Sequence, residues 1–318
     1  MTFELYTAQD KLITPDEIIS YELVSDISAA CDGLRLYYRA SNLPEEIIKV
    51  CVKDNGKTIF YGFADKQKTT ADESGCVDFI YARSSAMLLI DNEATPCQFT
   101  CPSSGQLWFH YAEEFSIKNG LPQVSFDGNY YVQKGTSCFK AINDFMKYVH
   151  GMGVYVTPEN VLAAFEKSEE CKNLDGCEII SACKINDRSE ILSSIDYKIN
   201  STDKYIYHLE SSYAVRNMIK RRKLTNLSAL PVWQREASVS FQVQNPLMFS
   251  KTVEVVFAGA PEFSLYDRVV LNISRLGISA DDEYIVSQIV KQKNEKGTKT
   301  TVVFNKETDG ELINYVAE

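Results

Sequence analysis

A chain of 318 residues, 45% apolar and 24% charged, has the composition of an ordinary globular protein and is long enough for about two to four small domains. Its net charge of −10 argues against a surface built to neutralise phosphates, so nucleic-acid binding is not expected. No apolar run reaches the roughly 18 residues needed to cross a bilayer. The opening Met1-Thr2-Phe3-Glu4-Leu5 has neither the basic region nor the apolar core of a secretory signal, so the expectation is a protein made and kept in a cytoplasm until any later release.

In chain order the first third reads as strands. Leu34, Leu36 and Tyr38 alternate with Arg35, Tyr37 and Arg39, the period-two pattern of a half-buried strand. Ile48, Val50 and Val52 alternate with Lys49 and Lys53. Asn55-Gly56 then separates them from Thr58-Ile59-Phe60-Tyr61, and that dipeptide is a strong hairpin signal because both residues tolerate positive φ. Another strand over residues 76–82 leads out of this block. From 95 to 132 the pattern is irregular, with turns expected at Pro102-Ser103-Ser104-Gly105 and Phe126-Asp127-Gly128-Asn129. The clearest helix covers residues 138–150. Ser137 can cap it, Phe139, Ile142, Phe145, Met146 and Val149 line one face, and Gly151 and Gly153 stop it.

A second short helix is expected over 158–167, with proline in its first turn. Strands are expected at 195–199 and 205–209, and a helix over 211–223 ending in Lys220-Arg221-Arg222-Lys223. Residues 238–244 read as a strand with Val239, Phe241 and Val243 on one face. Four closing strands are expected at 252–257, 268–273, 284–290 and 300–304.

Residues 79–94 carry the most information. A strand enters Ala82-Arg83-Ser84, becomes a short apolar segment and ends on Asp91-Asn92-Glu93-Ala94, with Pro96 close behind. On the residues alone, Ser84 can cap a short helix, Asp91-Asn92 can form a turn, and Arg83, Asp91 and Glu93 can be solvated charges. The passage also resembles the baseplate hub proteins of contractile phage tails and phage-tail-like particles, the Mu-type hub group that includes the late-control-D proteins. In that group an Ala-Arg-Ser strand exit and a Leu-Leu-Asp-Asn-Glu-Ala-x-Pro turn close the first barrel domain. A second phrase of the group, hydrophobic-Pro-x-Phe-x-x-x-Asp-x-Val followed by Tyr-x-Val, is similar to the run from Ala260 through Pro261, Phe263 and Asp267 to Val269, followed by Tyr284-Ile285-Val286. The group more often has glycine where Tyr266 stands.

The search for chemistry returns little. Three histidines are few, and no nucleophile elbow, phosphate-binding glycine loop, His-Glu-x-x-His or dinucleotide fingerprint is present. Glu113-Glu114, Glu169-Glu170 and Asp281-Asp282-Glu283 are adjacent acids, which point different ways and suit turns better than the two facing carboxylates of a glycosidase. The nine cysteines are read as reduced thiols without metal, because their spacings do not form a zinc knuckle. No catalytic residue, metal ligand or cofactor is assigned.

The expected fold class is α+β, mainly β, with two small β-barrel-like domains and helical or irregular connecting domains. The expected boundaries are 1–94 for the first barrel-like domain, 95–177 for a connecting domain around the amphipathic helix, 178–237 for a second α+β domain, and 238–318 for the closing barrel-like domain. The resemblance implies a structural baseplate hub: a homotrimeric adapter between the hexameric tail tube and the trimeric spike, in contact with baseplate wedge proteins, with DNA only as cargo passing the lumen. It marks Arg83, Asp91, Asn92, Glu93, Asp267 and Tyr284 as its structural residues and places the protein finally in a virion tail or tail-like particle. The alternatives are a tail-associated peptidoglycan hydrolase and a carbohydrate-binding tail module, the latter presenting aromatic platforms near Trp108 or Trp233.

Overall fold

A computed structural model describes residues 1–40, 45–73, 75–174, 176–200, 204–230, 232–306 and 312–316. Strand accounts for 47% and helix for 17%, so the mainly β, α+β class is present, and among the described residues no sheet closes into a barrel. The chain divides into two compact units. The first is Met1–Lys167, Val256–Tyr266 and Ser287–Val302; the second is Ser168–Val255, Asp267–Val286 and Val303–Glu318.

The first unit opens with β1 (Thr2–Tyr6), β2 (Leu12–Ile13), β3 (Glu17–Asp26), β4 (Gly33–Arg39), β5 (Lys49–Asp54), β6 (Lys57–Asp72) and β7 (Gly75–Ser84), followed by α1 (Met87–Ile90). Their order in the sheet is β3-β4-β7-β6-β5-β1-β2, every neighbour antiparallel. Alternation dictates the two faces. Leu34, Leu36 and Tyr38 are buried with Leu23, Val50, Val52, Phe60 and Ile80 in one core. On the outer face Arg35 lies opposite Glu22 and bonds it, and Arg39 lies opposite Glu17 with Nη1 donating at 2.9 Å. Such exposed pairs contribute under about 1 kcal/mol each, whereas burying one leucine is worth about 2 kcal/mol. The expected hairpin is present: Asn55 and Gly56 both have positive φ between β5 and β6.

The unit continues with β8 (Cys97–Thr100), α2 (Ser104–Tyr111), β9 (Lys118–Gly120), β10 (Asn129–Val132), α3 (Cys138–Val149), β11 (Val154–Val156) and β12 (Val161–Ala164). The helix expected at 138–150 is α3, capped as expected by Ser137, whose Oγ accepts from the Lys140 N–H. Its buried residues are Cys138, Ala141, Ile142, Phe145 and Met146. Phe145 packs edge-on against Tyr130, whose hydroxyl donates to the Ala141 carbonyl at 2.6 Å. Two expectations are corrected in this region. Pro102-Ser103-Ser104-Gly105 is not a turn but the start of α2, because Ser103 and Gln106 form a reciprocal capping box. Residues 158–167 are not a helix: the Thr157 hydroxyl accepts from the Glu159 N–H, Asn160 turns left-handed, and the chain emerges as β12 between β11 and β9.

The second unit holds β13 (Cys171–Lys172), β14 (Ile179–Asn186), β15 (Ser194–Lys198), β16 (Tyr207–Ser211), α4 (Ser212–Arg216), β17 (Arg222–Asn226) and α5 (Val232–Phe249). The remaining strands are β18 (Lys251–Ala258), β19 (Arg268–Val270), β20 (Glu283–Asn294), β21 (Gly297–Lys306) and β22 (Leu312–Val316). Of these, β18, β20 and β21 have one end in each unit. The strands expected at 195–199 and 205–209 are β15 and β16, inside the four-stranded sheet β17-β15-β16-β22. The four closing strands fall where expected, at β18 to β21.

Residues 238–244 are corrected from strand to helix. Val239 and Val243 sit four apart, a spacing that satisfies both the strand and the helix period. Phe241 decides the matter: in α5 it is 50% exposed, while Val239, Val243 and Leu247 are buried. The helix expected over 211–223 shortens to α4, because Asn217 caps it and Met218 takes a φ of 56°, after which Arg222 begins a strand.

Close approach of β6 and β7 fixes the register of the first sheet. Gly62 lies opposite Ser84, and a Cβ placed on it would stand 2.0 Å from the Arg83 carbonyl oxygen and 2.7 Å from its carbonyl carbon. Both are backbone atoms, which no rotamer change can move. Gly62→Ala is therefore expected to destabilise by at least about 2 kcal/mol, read as a lower urea midpoint. An unchanged midpoint would show that the two strands are not held this close.

Candidate functional site

Four of the six residues marked by the resemblance, Arg83, Asp91, Asn92 and Glu93, lie at the exit of β7. Between Ala64 and Lys66 the pairing of β6 with β7 slips, so that Ala64 faces Ala82 and Lys66 faces Tyr81, leaving Asp65 as the extra residue of a bulge. A bulge re-aims a side chain, and here the Asp65 carboxylate meets the guanidinium of Arg83. Arg83 Nε donates to Asp65 Oδ2 and Nη2 to Asp65 Oδ1 at 3.0 Å. The other side of the same guanidinium reaches Asp91, where Nη1 donates to Oδ1 at 3.0 Å and Nη2 to Oδ2 at 2.6 Å. One arginine thus spans two carboxylates, a geometry its planar fork suits and a lysine does not. Arg83 holds the Asp91 carboxyl below its ordinary value of 3.8, and the two carboxylates push Arg83 upward in turn.

Asp91 closes α1, its N–H donating to the Met87 carbonyl. The next three residues tie this turn to α3. Asn92 Nδ2 donates to the Leu88 carbonyl at 2.7 Å, and the Asn92 carbonyl accepts from the Cys138 N–H at 2.9 Å. That N–H is one of the donors a helix start leaves unpaired. A Glu93 carboxylate oxygen accepts from the Gly135 N–H at 2.6 Å, and the Ala94 N–H donates to Thr136 at 2.8 Å. Arg83, Asp91, Asn92 and Glu93 therefore form one joint between the end of the first sheet and the N-terminus of α3.

Behind the joint lies a cost. Ser84 exchanges two bonds with Asp32: its N–H donates to the Asp32 carbonyl at 2.9 Å, and its Oγ accepts from the Asp32 N–H at 3.1 Å. Although the Asp32 residue is only partly buried, its carboxyl is enclosed, and burial pushes it up to about 6 against a hydrogen bond from Ser25 that pulls it down. Burial also raises the neighbouring Cys31 thiol.

Asp267 and Tyr284 belong to the second unit. Asp267 is buried, accepts from Lys172 Nζ at 2.6 Å and takes the Val286 N–H on its backbone carbonyl at 2.9 Å. Tyr284 is buried on β20, opposite Val269. Tyr266, in the first unit, stands where the resembling group more often has glycine. Its φ is 65°, the left-handed region in which glycine carries no steric penalty. The tyrosine offsets that penalty by packing its ring 4.8 Å from Phe165, which stacks on Tyr155 at 4.5 Å.

The other sequence candidates are spread out. His110 sits among Phe99, Phe109 and Tyr111, His150 caps α3, and His208 Nδ1 bonds Asp196 at 2.6 Å. Asp282 pairs with Lys306 and Glu283 with Arg268, so these acids serve strand ends. Trp108 donates its indole N–H to the Ile117 carbonyl. Trp233 lies in α5. Each of the nine cysteines is a free thiol, and among the described residues no cluster of His, Cys, Asp or Glu is arranged to hold a metal ion. Sequence reading missed Asp65, Asp32, Gly62 and Lys172. No local signal marks them, because their partners are distant in sequence.

No protein-family model matches the chain, and no curated protein matches it. Solved structures do. The 43 kDa tail protein of prophage MuSo2 from Shewanella oneidensis superposes with a TM-score of 0.77 at 14% identity, covering 96% of this chain and 98% of that one. The tail protein of Neisseria meningitidis MC58 gives 0.76 at 14% identity, with 96% of each chain covered. The E. coli c3393 protein, described as a component of the type VI secretion system with structural similarity to T4 tail proteins gp27 and gp5, gives 0.56 at 6% identity over 92% of this chain and 74% of its own. The chain has the fold of these tail proteins.

Two outcomes test the joint. Arg83→Ala leaves two carboxylates without their partner and is expected to cost about 1–3 kcal/mol in thermal or urea unfolding, with Arg83→Lys recovering only part. Because the folded Asp91 value is depressed, its share of this stabilisation is full above pH 3.8 and disappears as the pH falls through the folded value. Asp32 has the opposite sign. With a folded value near 6 and an ordinary value of 3.8, the protein loses stability as the pH rises from about 4 to 6. Asp32→Asn, which mimics the protonated group, is expected to gain about 1–3 kcal/mol at pH 7.5 and nothing at pH 4. A gain that is equal at both pH values would contradict the enclosed carboxyl.

Proposed function

We propose that this chain is a structural component of a phage-type tail, a baseplate hub that joins the tail tube to the spike. The observation that carries the reading is the agreement of fold along nearly the whole length of two tail proteins, one of them from prophage MuSo2, with 96% of this chain covered in each case. The resemblance of residues 79–94 and 260–286 to Mu-type hubs supports it independently, since four of its six marked residues meet in one joint. In this proposal three copies form a ring. The parts 1–94 and 238–318 act as equivalent barrel-like modules presenting six similar units to a hexameric tube, and 95–177 and 178–237 connect them. A closed ring with rigid modules is a symmetry adapter, and its work is done by packed interfaces and not by chemistry.

The partners proposed are the tube protein above, the spike below and baseplate wedge proteins outside, with DNA passing the lumen as cargo. Assembly takes place in the bacterial cytoplasm, before the particle is complete. A catalytic role is not part of the reading. Of the adjacent acids that could have served a wall hydrolase, Asp282 and Glu283 are engaged in ion pairs with Lys306 and Arg268, and Trp108 is tied to the backbone.

Co-expression of the chain with neighbouring tube and spike genes, followed by light scattering, is expected to give assemblies with three copies per particle. A partner that binds only the ring favours it by mass action, so the ring forms more readily in the complex than alone. Two or four copies per assembly, or none, would overturn the hub reading.

A further inference from the structure

The second unit segregates charge. Residues 212–226 hold five basic side chains and no acidic one, so this stretch is +5 in a chain of −10 and the rest carries −15. It folds as α4, a tight loop and the start of β17. The loop is anchored from within. Arg221 Nη1 donates to the carbonyls of Arg188 and Ile191, the Arg221 N–H donates to Ser193 Oγ at 3.0 Å, and Ile219 is buried with Ile191, Ala214 and Leu247. On this fixed base the loop displays Met218, 85% exposed with a left-handed backbone, flanked by Val215 and Leu224, each 51% exposed. Lys220 and Lys223 are exposed beside them. An ordered loop that holds apolar side chains in water between lysines is preorganised for an acidic partner that is also apolar.

The same unit carries a surface of that description. β14 ends its sheet, pairing on one side with β18, and no described residue pairs its other side. Seven of its eight residues are exposed, among them Ile179 at 40% and Ile180 at 59%. Glu178 precedes them, and Glu169 and Glu170 are exposed on the approach. A free strand edge with exposed isoleucines and no proline within it is open to pairing.

We propose that the loop at 215–224 of one copy docks on the acidic surface of Glu169, Glu170 and Glu178 with Ile179 and Ile180 on a second copy. The chemistry selects a protein over nucleic acid: exposed Met218 and Leu224 offer nothing to a phosphate backbone. A basic patch cannot face its own image across a two-fold axis, since like charges would meet. The contact joins one surface to a different surface, and a head-to-tail repeat of it closes into a ring when the rotation between copies closes. Ring closure rests on the hub reading; the pairwise contact does not.

A charge-swap cycle in the full chain tests this. The wild type is expected to associate as its concentration rises in sedimentation velocity near 10 mM salt, where screening reaches about 30 Å, and to dissociate at high salt. The variants Lys220→Glu with Lys223→Glu, and Glu169→Lys with Glu170→Lys and Glu178→Lys, are each expected to weaken association at least about tenfold. Combining both sets in one chain reverses both surfaces and is expected to restore it, which also shows that the variants fold. A wild type that stays monomeric at low salt, or a combined variant that stays as weak as its parents, overturns the contact. So does binding of a short DNA duplex or phosphatidylserine vesicles through Lys220 and Lys223 without self-association. If the Lys220→Glu and Lys223→Glu variant still assembles three copies with tube and spike, the contact fails and the hub reading stands. If the charge swap restores association but co-expression never yields three copies, the hub reading fails and the contact stands.

Discussion

Gly62 and Ser84 bring the backbones of β6 and β7 so close that no side chain fits between them, and the rest of the first unit follows from that approach. It sets the register in which Arg83 leaves the sheet. The bulge at Asp65, three residues further along β6, then presents a carboxylate to one side of the guanidinium, and the turn after α1 presents Asp91 to the other. Through Asn92 and Glu93 the same turn supplies hydrogen bonds to the start of α3. A sheet, a short helix and a long helix are thereby positioned by one glycine and one arginine.

The energetics divide in a way that suits a mechanical part. Core burial around Leu34, Leu36 and Ile80 supplies the bulk of the stability, while the exposed pairs Arg35–Glu22 and Arg39–Glu17 add little. Against this the fold retains the enclosed carboxyl of Asp32 beside the joint, which opposes folding at neutral pH. Its backbone is needed there, because both of its bonds to Ser84 hold the start of β4 against the end of β7. The side chain is a cost carried by a position chosen for its main chain.

In the second unit the instructive feature is what remains uncovered. Arg221, which the sequence places in a basic helix end, is turned into an anchor on the carbonyls of residues 188 and 191. Lys220 and Lys223 stay outside, next to the exposed Met218. A run of four basic residues thus contains one, Arg221, that holds the loop while Lys220 and Lys223 face outward. Composition alone treats all four alike.

The sequence by itself determined the elements whose signal is local. Alternation over residues 34–39 specified a half-buried strand, Asn55-Gly56 a hairpin, and Ser137 with its apolar face the helix α3, because each pattern is complete within a dozen residues. Residues 83 and 91–93 were grouped only by the resemblance to the hub proteins, since on the residues alone they read as a turn and solvated charges. Only the tertiary structure decided the rest. Val239 and Val243 obey the strand and helix periods equally, so their assignment waited on the sheet face of Ile195 and Leu209 against which α5 packs. Asp65, Asp32 and Lys172 acquire their roles from partners 18, 52 and 95 residues away, at Arg83, Ser84 and Asp267. No window along the chain contains both members of such a pair, and a carboxylate becomes a structural group only when folding removes water from around it and puts a cation in reach.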